Sequence, residues 1–214
     1  LQPWQSVGAK AVVTLAAKLM LATLPPQTSF FKLQVRDDKL GESLDPMMRT
    51  ELDLSFSKIE RLIMDYISAS NDRVIIHEAL KHLIVSGNAL IFMHKDGLKH
   101  YPLSRYVVNR DGNGKVLEIV TKEMISRKLL GLEKPEGQET MNTEQGVDED
   151  DAEVYTCVKM DERSGRWMWH QEVDGQMIEG SRSTAPKNAS PWLVLRFNTV
   201  DGEDYGRGRV EEFI

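Results

Sequence analysis

The chain has 214 residues, 41% of them hydrophobic, which is enough for one large or two small domains with an apolar core. Its single cysteine, Cys157, excludes an intramolecular disulfide, removes zinc sites built from cysteines and favours a reducing compartment. No apolar run reaches the roughly 18 residues that a membrane-spanning helix needs. The chain starts at Leu1 and ends in what resembles a helix start, so we interpret it as a piece of a longer protein.

The formal net charge of −6 comes from one segment. Residues 133–153 hold nine acidic residues and one basic residue, whereas the rest of the chain holds 24 acidic and 26 basic residues. The remainder is therefore close to neutral. It lacks the basic excess that tight nucleic-acid binding needs.

The first third of the chain has a helical pattern. Residues 9–23 predict a helix that ends at Pro25-Pro26, with Val12, Leu15, Ala16 and Leu19 on one face. Residues 30–35 alternate with the period of a strand.

The segment 52–93 organises the chain and predicts a helix pair followed by a strand. Two apolar stripes at helical spacing are separated by the polar residues 68–72. The second helix is predicted to stop at Gly87-Asn88, and residues 89–93 form a continuous apolar run of strand length. We expect two antiparallel helices packed beside a buried strand. The stripes consist of Phe56, Ile59, Ile63, Tyr66 and Ile67, then Ile76, Ala79, Leu80, Leu83 and Ile84.

Turn signals then divide the chain into short strands. Residues 94–97 predict a turn before a strand at 98–102, and Asp111-Gly-Asn-Gly114 predicts a hairpin between 106–110 and 115–122. Residues 124–130 resemble a brief helix that Gly131 closes.

The acidic segment 133–153 carries almost no large apolar residues, so it is predicted to be an exposed or disordered insertion. Four strand-like runs follow, at 154–160, 166–173, 176–179 and 192–197, and predict an antiparallel meander. Residues 201–209 form a glycine-rich loop before a helix from Val210. The fold class is therefore α+β, with a helical first half and mostly antiparallel strands after it. We divide the chain into 1–132, the insertion 133–153, the strands 154–200 and a joint at 201–214.

Three sequence features resemble metal or anion sites, and each has a simpler interpretation. His77-Glu78 with His82 resembles a metalloprotease motif, but histidines five residues apart lie about 140° apart on a helix. Residues 148–151 are acidic but lack the glycine and distal glutamate of a calcium loop. Gly206-Arg-Gly208 resembles a phosphate cradle without the lysine of a P-loop. It is the one place where we expect anion contact, through Arg207, Arg209 and exposed backbone amides.

The remaining candidates are interpreted as structural. Trp167 and Trp169 alternate with Met168, so both are expected on one sheet face, with Val173 farther along it. Cys157 lies in a predicted strand and is interpreted as an inert apolar residue. No serine stands in a Gly-x-Ser-x-Gly elbow. We predict no catalytic, cofactor-binding or metal-binding residues, and no enzyme; the residues alone favour a protein-binding α+β module.

Several blocks along the whole chain resemble the head-to-tail connector, or portal, proteins of short-tailed podovirus-type phages, and they run in the family's order. The blocks are PWQSVGAK at 3–10, LAAKLML at 15–21, LPPQT at 24–28, ERLIMDYI at 60–67, EALK at 78–81, GNAL at 87–90, LSRYVV at 103–108, RD at 110–111, DGEDYGR at 201–207 and EE at 211–212. The chain departs from the family in its long acidic insertion, and in Gly208, where a small polar residue is commoner.

The resemblance implies a structural subunit of the portal ring, which forms a closed ring of roughly twelve copies at one capsid vertex. The ring is the channel for DNA packaging and ejection and the attachment point for the tail. The matched blocks would be the α+β wing domain, and 201–214 would lead into an absent stem, clip and crown.

The partners implied are other copies of the chain, the terminase motor, a tail adaptor, capsid and scaffold proteins, internal core proteins, and double-stranded DNA that passes without sequence-specific binding. The expected location is the virion, after assembly in the bacterial host cytoplasm, with no membrane partner. The alternative is a non-enzymatic tail or adaptor protein that binds the portal; a metal-dependent enzyme is a distant third.

Overall fold

The computed structural model of the protein describes residues 6–26, 28–34, 45–131 and 151–211, and all structural statements refer to these ranges. The helices are α1 (Val7–Thr23), α2 (Pro46–Ala69), α3 (Asp72–Ser86) and the short α4 (Arg127–Leu130). The strands are β1 (Asn88–His94), β2 (Gly97–Tyr101), β3 (Tyr106–Arg110), β4 (Val116–Ser126), β5 (Asp151–Asp161), β6 (Arg166–Val173), β7 (Gln176–Met177), β8 (Ser183–Pro186) and β9 (Trp192–Arg196). The predicted α+β class is confirmed.

The helices begin and end where local chemistry dictates. Asp45 caps α2, its side chain accepting a hydrogen bond from the Met47 amide, and Pro46 occupies the first turn. Gly87 ends α3 with φ 73°, in the left-handed conformation predicted for it. None of the helices in the described ranges is both long and apolar enough to cross a membrane.

The packing of the helices differs from the expected pair. Helix α3 packs on α1 on one side and on β1 and β2 on the other, whereas α2 makes few contacts with α3. None of the described side chains of α2 is buried. The apolar stripe predicted for α2 is present, but much of it faces away from the domain.

The strand predicted at residues 30–35 is wrong over its described part. Residues 30–34 form no strand, and Val35 lies outside the described ranges. The Leu33 amide donates instead to the Glu60 carboxylate of α2 at 2.6 Å. The alternation of side chains predicted a strand here. In the structure, however, the segment forms a hydrogen bond with a side chain of α2 and does not pair with another strand.

Two antiparallel sheets hold the strands together. One has the order β2-β1-β9; the other has the order β3-β4-β5-β6-β7, with β8 also paired to β6. The predicted hairpins at 94–97 and 111–114 are confirmed. The predicted final strand of the meander instead leaves it and pairs with β1, matching Leu90 to Val194.

Three further predictions need correction, because strand pairing reaches residues that the sequence did not assign to strands. Strand β4 continues to Ser126 by pairing with the start of β5, so the helix predicted at 124–130 is reduced to α4. Strand β8 lies between the runs predicted at 176–179 and 192–197, where no strand was predicted. The predicted insertion 133–153 is wrong over its last three residues, because strand β5 begins at Asp151 and its Ala152 is buried. Residues 133–150 of the acidic segment lie outside the described ranges.

The three-stranded sheet is buried on both faces. Leu90 and Trp192 face the larger sheet and join Ile119, Val158 and Trp167 in the main core. The opposite face is covered by α3, where Ala79 and Leu83 contact Ala89 and Ile91. The domain is therefore layered as helices, small sheet and large sheet.

Candidate functional site

The glycine-rich segment 201–209 is fixed to the junction between α3 and β1. The Asn88 side-chain amide donates to the Gly206 carbonyl, and its oxygen accepts from the Gly206 amide, both at 2.7 Å in buried surroundings. The same Asn88 amide also donates to the Ser86 carbonyl at 2.7 Å. Beyond it, the Arg209 amide donates to the Ile84 carbonyl at 2.8 Å. One asparagine thus joins the end of a helix to a segment far along the chain.

Three glycines allow this close approach of backbone to backbone. A Cβ at Gly87 would lie 2.3 Å from the carbonyl carbon of Arg207, and one at Gly208 would lie 2.1 Å from the Val85 oxygen. At Gly206 the nearest atom would be the Arg196 Cβ, at 2.8 Å. Because backbone atoms crowd Gly87 and Gly208, no side-chain movement makes room there.

The same segment is fixed on its other side to the large sheet. The Asp204 carboxylate accepts from the Arg110 amide at 2.8 Å, and the Tyr205 hydroxyl accepts from the Val108 amide at 3.2 Å. The Arg110 guanidinium returns a bond to the Asp204 carbonyl at 2.9 Å. Partial burial and the nearby Arg196 charge lower the pKa of Arg110. Residues 203–209 therefore bridge β3 to α3 and β1.

This geometry contradicts the predicted anion cradle. The amides of Gly206, Arg207 and Arg209 donate to Asn88, Asn198 and Ile84. The Arg207 side chain pairs with Glu203 at 2.8 Å, which raises the arginine pKa. Three of the amides that would cradle a phosphate, those of Gly206, Arg207 and Arg209, are therefore engaged in holding the loop. The sequence could not reveal this, because their partners are remote in the chain.

The histidines of α3 do not form the metalloprotease arrangement. Glu78 pairs with Lys81 and lies 3.6 Å from the His82 Nε2, and these partners lower its pKa. The His82 ring lies 4.7 Å from the ring of His100 on β2. Desolvation of His100, followed by the neighbouring His82 charge, lowers its pKa to about 4. His82 thus contacts strand β2 on one side and is partly exposed to solvent on the other.

The tryptophan prediction is confirmed, because Trp167 is buried and Trp169 packs against the same core. The Trp169 ring meets Trp192 edge to face at 6.5 Å, and Trp192 stacks on Phe92 at 4.1 Å. Val173 is also buried.

A cleft of about 840 Å³ lies beside these aromatic rings, between the two sheets, and Glu123 and Gln171 are among the residues that line it.

Glu123 on β4 links the two sheets at this cleft. Its carboxylate accepts from the Tyr101 hydroxyl of β2 at 2.9 Å and also pairs with Lys99. Burial, with a further contribution from the Glu123 charge, raises the pKa of Tyr101. The sequence gives no signal for this contact, since Tyr101 lies in the strand predicted at 98–102, whereas Glu123 lies just beyond the strand predicted at 115–122.

The outward side of α2 exposes an apolar face. Its exposed members are Met48 (56%), Ile59 (44%), Leu62 (67%) and Tyr66 (58%). Phe56 and Ile67, on the inward edge of the stripe, are half-buried. We call the four exposed residues the α2 face. Apolar surface of this kind is typical of a contact with another protein surface.

Comparison with known proteins places these features in a family. Residues 2–214 match the family described as bacteriophage head to tail connecting protein. The chain is 39% identical to the portal protein of Escherichia phage T7 and 40% identical to that of Enterobacteria phage T3, each over 99% of this chain and 40% of the relative. It is 30% identical to the portal protein of Enterobacteria phage SP6, over 98% of this chain and 41% of that protein. The chain thus spans about 40% of the length of these relatives. The chain belongs to the family of bacteriophage head-to-tail connecting proteins.

Proposed function

We propose that the chain is the wing domain of a portal subunit, a structural component of the ring at one capsid vertex. The observation that carries the proposal is the family match over residues 2–214, with portal proteins among the relatives. The ring would be closed, of roughly twelve copies, and would form the channel for DNA packaging and ejection. Its role would be mechanical and non-enzymatic.

The α2 face supports an assembly role. Leu62 and Tyr66 expose 67% and 58% of their surface on a helix with no buried side chain among those described. When a partner covers such a face, the contact is stabilised by about 25 cal/mol for each Å² of apolar surface removed from water. In the proposed ring, the partner is a neighbouring copy of the subunit.

The remaining partners follow from the proposed place in the virion. They are the terminase motor, a tail adaptor, capsid and scaffold proteins, and internal core proteins. Outside residues 133–153 the sequence holds 26 basic and 24 acidic residues, which suits DNA that passes without tight or sequence-specific binding. Assembly would take place in the bacterial host cytoplasm before the subunit enters the virion.

The glycine-rich segment 201–209 would connect the wing to the stem. Its fixation to Asn88 and Asp72–Ser86 on one side, and to Tyr106–Arg110 on the other, gives a following helix a defined direction. Gly206→Val introduces a β-branched side chain where a Cβ already lies 2.8 Å from another side chain. We expect this variant to impair ring assembly; normal rings with normal DNA retention count against a joint at this position.

The first test is the mass and shape of the complete protein, by light scattering and electron microscopy. Rings with a central hole support the proposal. A protein that stays monomeric even beside scaffold and capsid protein supports the adaptor function instead.

A surface variant then tests the α2 face within the same protein. Leu62→Glu should reduce ring formation while leaving the circular dichroism spectrum and Tm of the subunit unchanged, because Leu62 contributes to no core. Ser57→Glu adds the same charge on the opposite side of α2, where Ser57 is exposed, and should leave rings intact. Equal ring yields from both variants would exclude the α2 face as a subunit contact.

A further inference from the structure

The outer face of the large sheet carries three side chains with metal-binding atoms at one place. Cys157 of β5 lies directly opposite His170 of β6, and Glu172 follows on the same side of β6. One ligand atom from each residue lies within 4.8 Å of the other two. The His170 Nε2 and a Glu172 oxygen are 2.7 Å apart. Within the described ranges, no other three histidine, cysteine or carboxylate side chains lie this close together.

We infer that Cys157, His170 and Glu172 form a surface site for a divalent transition metal, with Zn²⁺ as the ion that suits the donors best. Thiolate sulfur, imidazole nitrogen and carboxylate oxygen are the three donor types that zinc accepts in proteins. The site goes beyond the proposed structural function and beyond the sequence patterns, from which no metal-binding residue was predicted.

The distances are compatible with one ion. Zinc bonds of about 2.0–2.3 Å in a tetrahedron place the donor atoms roughly 3.3–3.8 Å apart. The 2.7 Å between the His170 Nε2 and the Glu172 oxygen is shorter than that spacing, and no two of the three donor atoms are more than 4.8 Å apart. Small side-chain rotations would therefore place all three donors around one ion. The fourth position then remains open to water.

The backbone holds the donors in fixed register. Strand β5 is paired on both sides, with β4 and β6, and strand β6 is paired with β5, β7 and β8. Cross-strand neighbours in an antiparallel pair have Cβ atoms about 4.5–5.5 Å apart. Two of the three donors are therefore oriented by the sheet before any ion binds, which lowers the entropic cost of binding.

The local charge also favours a dication. A thiolate, a carboxylate and a neutral imidazole carry two negative charges in total, which one Zn²⁺ neutralises. Without an ion, burial first, then the charges of Glu172 and Glu118, raises the pKa of Cys157. A bound dication reverses this effect, because metal binding removes the thiol proton.

The test uses the complete protein, reduced and freed of metal by dialysis against a chelator. Zn²⁺ affinity is measured by competition with a zinc dye, and Co²⁺ is titrated as a spectroscopic substitute. We expect one metal per subunit, a near-ultraviolet charge-transfer band typical of Co²⁺–thiolate bonds, and a higher Tm with Zn²⁺ because the ion binds the folded state.

Cys157→Ser should remove the thiolate band and weaken Zn²⁺ binding at least about 100-fold, since even partners outside the first coordination sphere change affinity 10–100-fold. His170→Gln should weaken binding while the subunit remains folded by circular dichroism. The matched control is His94→Gln, which removes an exposed histidine that also lies near a carboxylate, with Nδ1 3.0 Å from Asp96. It should bind like the parent protein.

Two results would overturn the site. One is parent protein that takes up no Co²⁺ with a thiolate band, a measurement that needs no variant to fold. The other is Cys157→Ser that binds Zn²⁺ as tightly as the parent protein.

Discussion

The side-chain amide of Asn88 exchanges two hydrogen bonds of 2.7 Å with the backbone of Gly206, 118 residues later in the chain. Asn88 is 3% exposed, so water does not replace these bonds when they are lost. The pair joins the first residue of β1 to the segment that follows β9. Its contribution to stability can be measured directly.

Asn88→Ala should lower the free energy of unfolding by about 2–4 kcal/mol, because it leaves the buried Gly206 N–H and C=O without partners. Urea denaturation measures this loss. Asn88→Asp keeps an acceptor for the Gly206 amide but places a carboxylate oxygen against two carbonyls, so it should be at least as harmful at pH 7. Asn113→Ala, at an exposed asparagine, should change stability by less than about 0.5 kcal/mol. Equal effects at Asn88 and Asn113 would contradict the structural role of Asn88.

Two glycines allow the cost of backbone strain to be measured separately from the cost of steric crowding. Gly87 and Gly180 have nearly the same positive φ, 73° and 77°, but only Gly87 has atoms within 4 Å of an added Cβ. Gly180→Ala should cost about 1–2 kcal/mol, the usual cost of the left-handed conformation. Gly87→Ala should cost at least about 3 kcal/mol, because overpacking adds to this strain. Equal decreases in Tm for the two variants would show that the segment 201–209 does not sterically crowd a side chain at Gly87.

The hydrogen bond from Tyr101 to Glu123 links β2 to β4 and is also measurable. Tyr101 is 4% exposed, and Tyr101→Phe removes a bond to a charged acceptor without creating a large cavity. We expect a loss of about 1.5–3 kcal/mol by urea denaturation. Tyr155→Phe is the matched control, because the Tyr155 hydroxyl also bonds a glutamate, Glu153, at 2.7 Å but at the exposed surface. It should change stability by less than about 0.5 kcal/mol, and a loss as large as that of Tyr101→Phe would contradict the importance of burial.

The neutral form of His100 makes stability depend on pH. The folded pKa is about 4 against 6.5 for the free side chain, and the buried Nε2 has no hydrogen-bond partner. Since the unfolded chain binds more protons between these values, the free energy of unfolding should fall as pH drops from about 6.5 to 4, by at most about 3 kcal/mol. The groups that face His100 from α3 are His82 and Glu78.

Urea denaturation at pH 7 and pH 5 checks this pH effect in the parent protein and in His100→Phe. The variant removes the titrating group but keeps a ring, so its stability should decrease less on acidification. His94→Gln, at an exposed histidine, should retain the parent dependence. A His100→Phe variant with the parent pH dependence would assign the effect to other groups.

The parts of the fold that local chemistry determines were predictable from the sequence. Gly87 ends a helix because glycine takes the left-handed conformation cheaply, and the hairpin at 111–114 follows from its turn residues. The pairing of β9 with β1 was not predictable, because strand alternation identifies a strand without identifying its partner. The stripe on α2 was predicted, but periodicity does not reveal whether a partner covers it.

In the candidate sites, too, only the features that depend on neighbouring residues in the sequence were predictable. Asn88 was predicted only as a helix end, because its bond to Gly206 spans 118 residues of sequence. Cys157 and His170 are 13 positions apart in sequence and meet only through the register of β5 and β6. Such contacts depend on tertiary structure, and a single sequence does not encode them in any local pattern.

The pairing of β9 with β1 has a consequence for how the chain folds during synthesis. The small sheet lacks one edge, and the Phe92 ring lacks the stacked ring of Trp192, until the ribosome has completed β9. Contacts this distant in sequence are slow to form, because the intervening loop must close first. Until then one edge of β1 has no partner strand and the Phe92 ring has no stacking partner, so a chaperone has its longest opportunity to bind there.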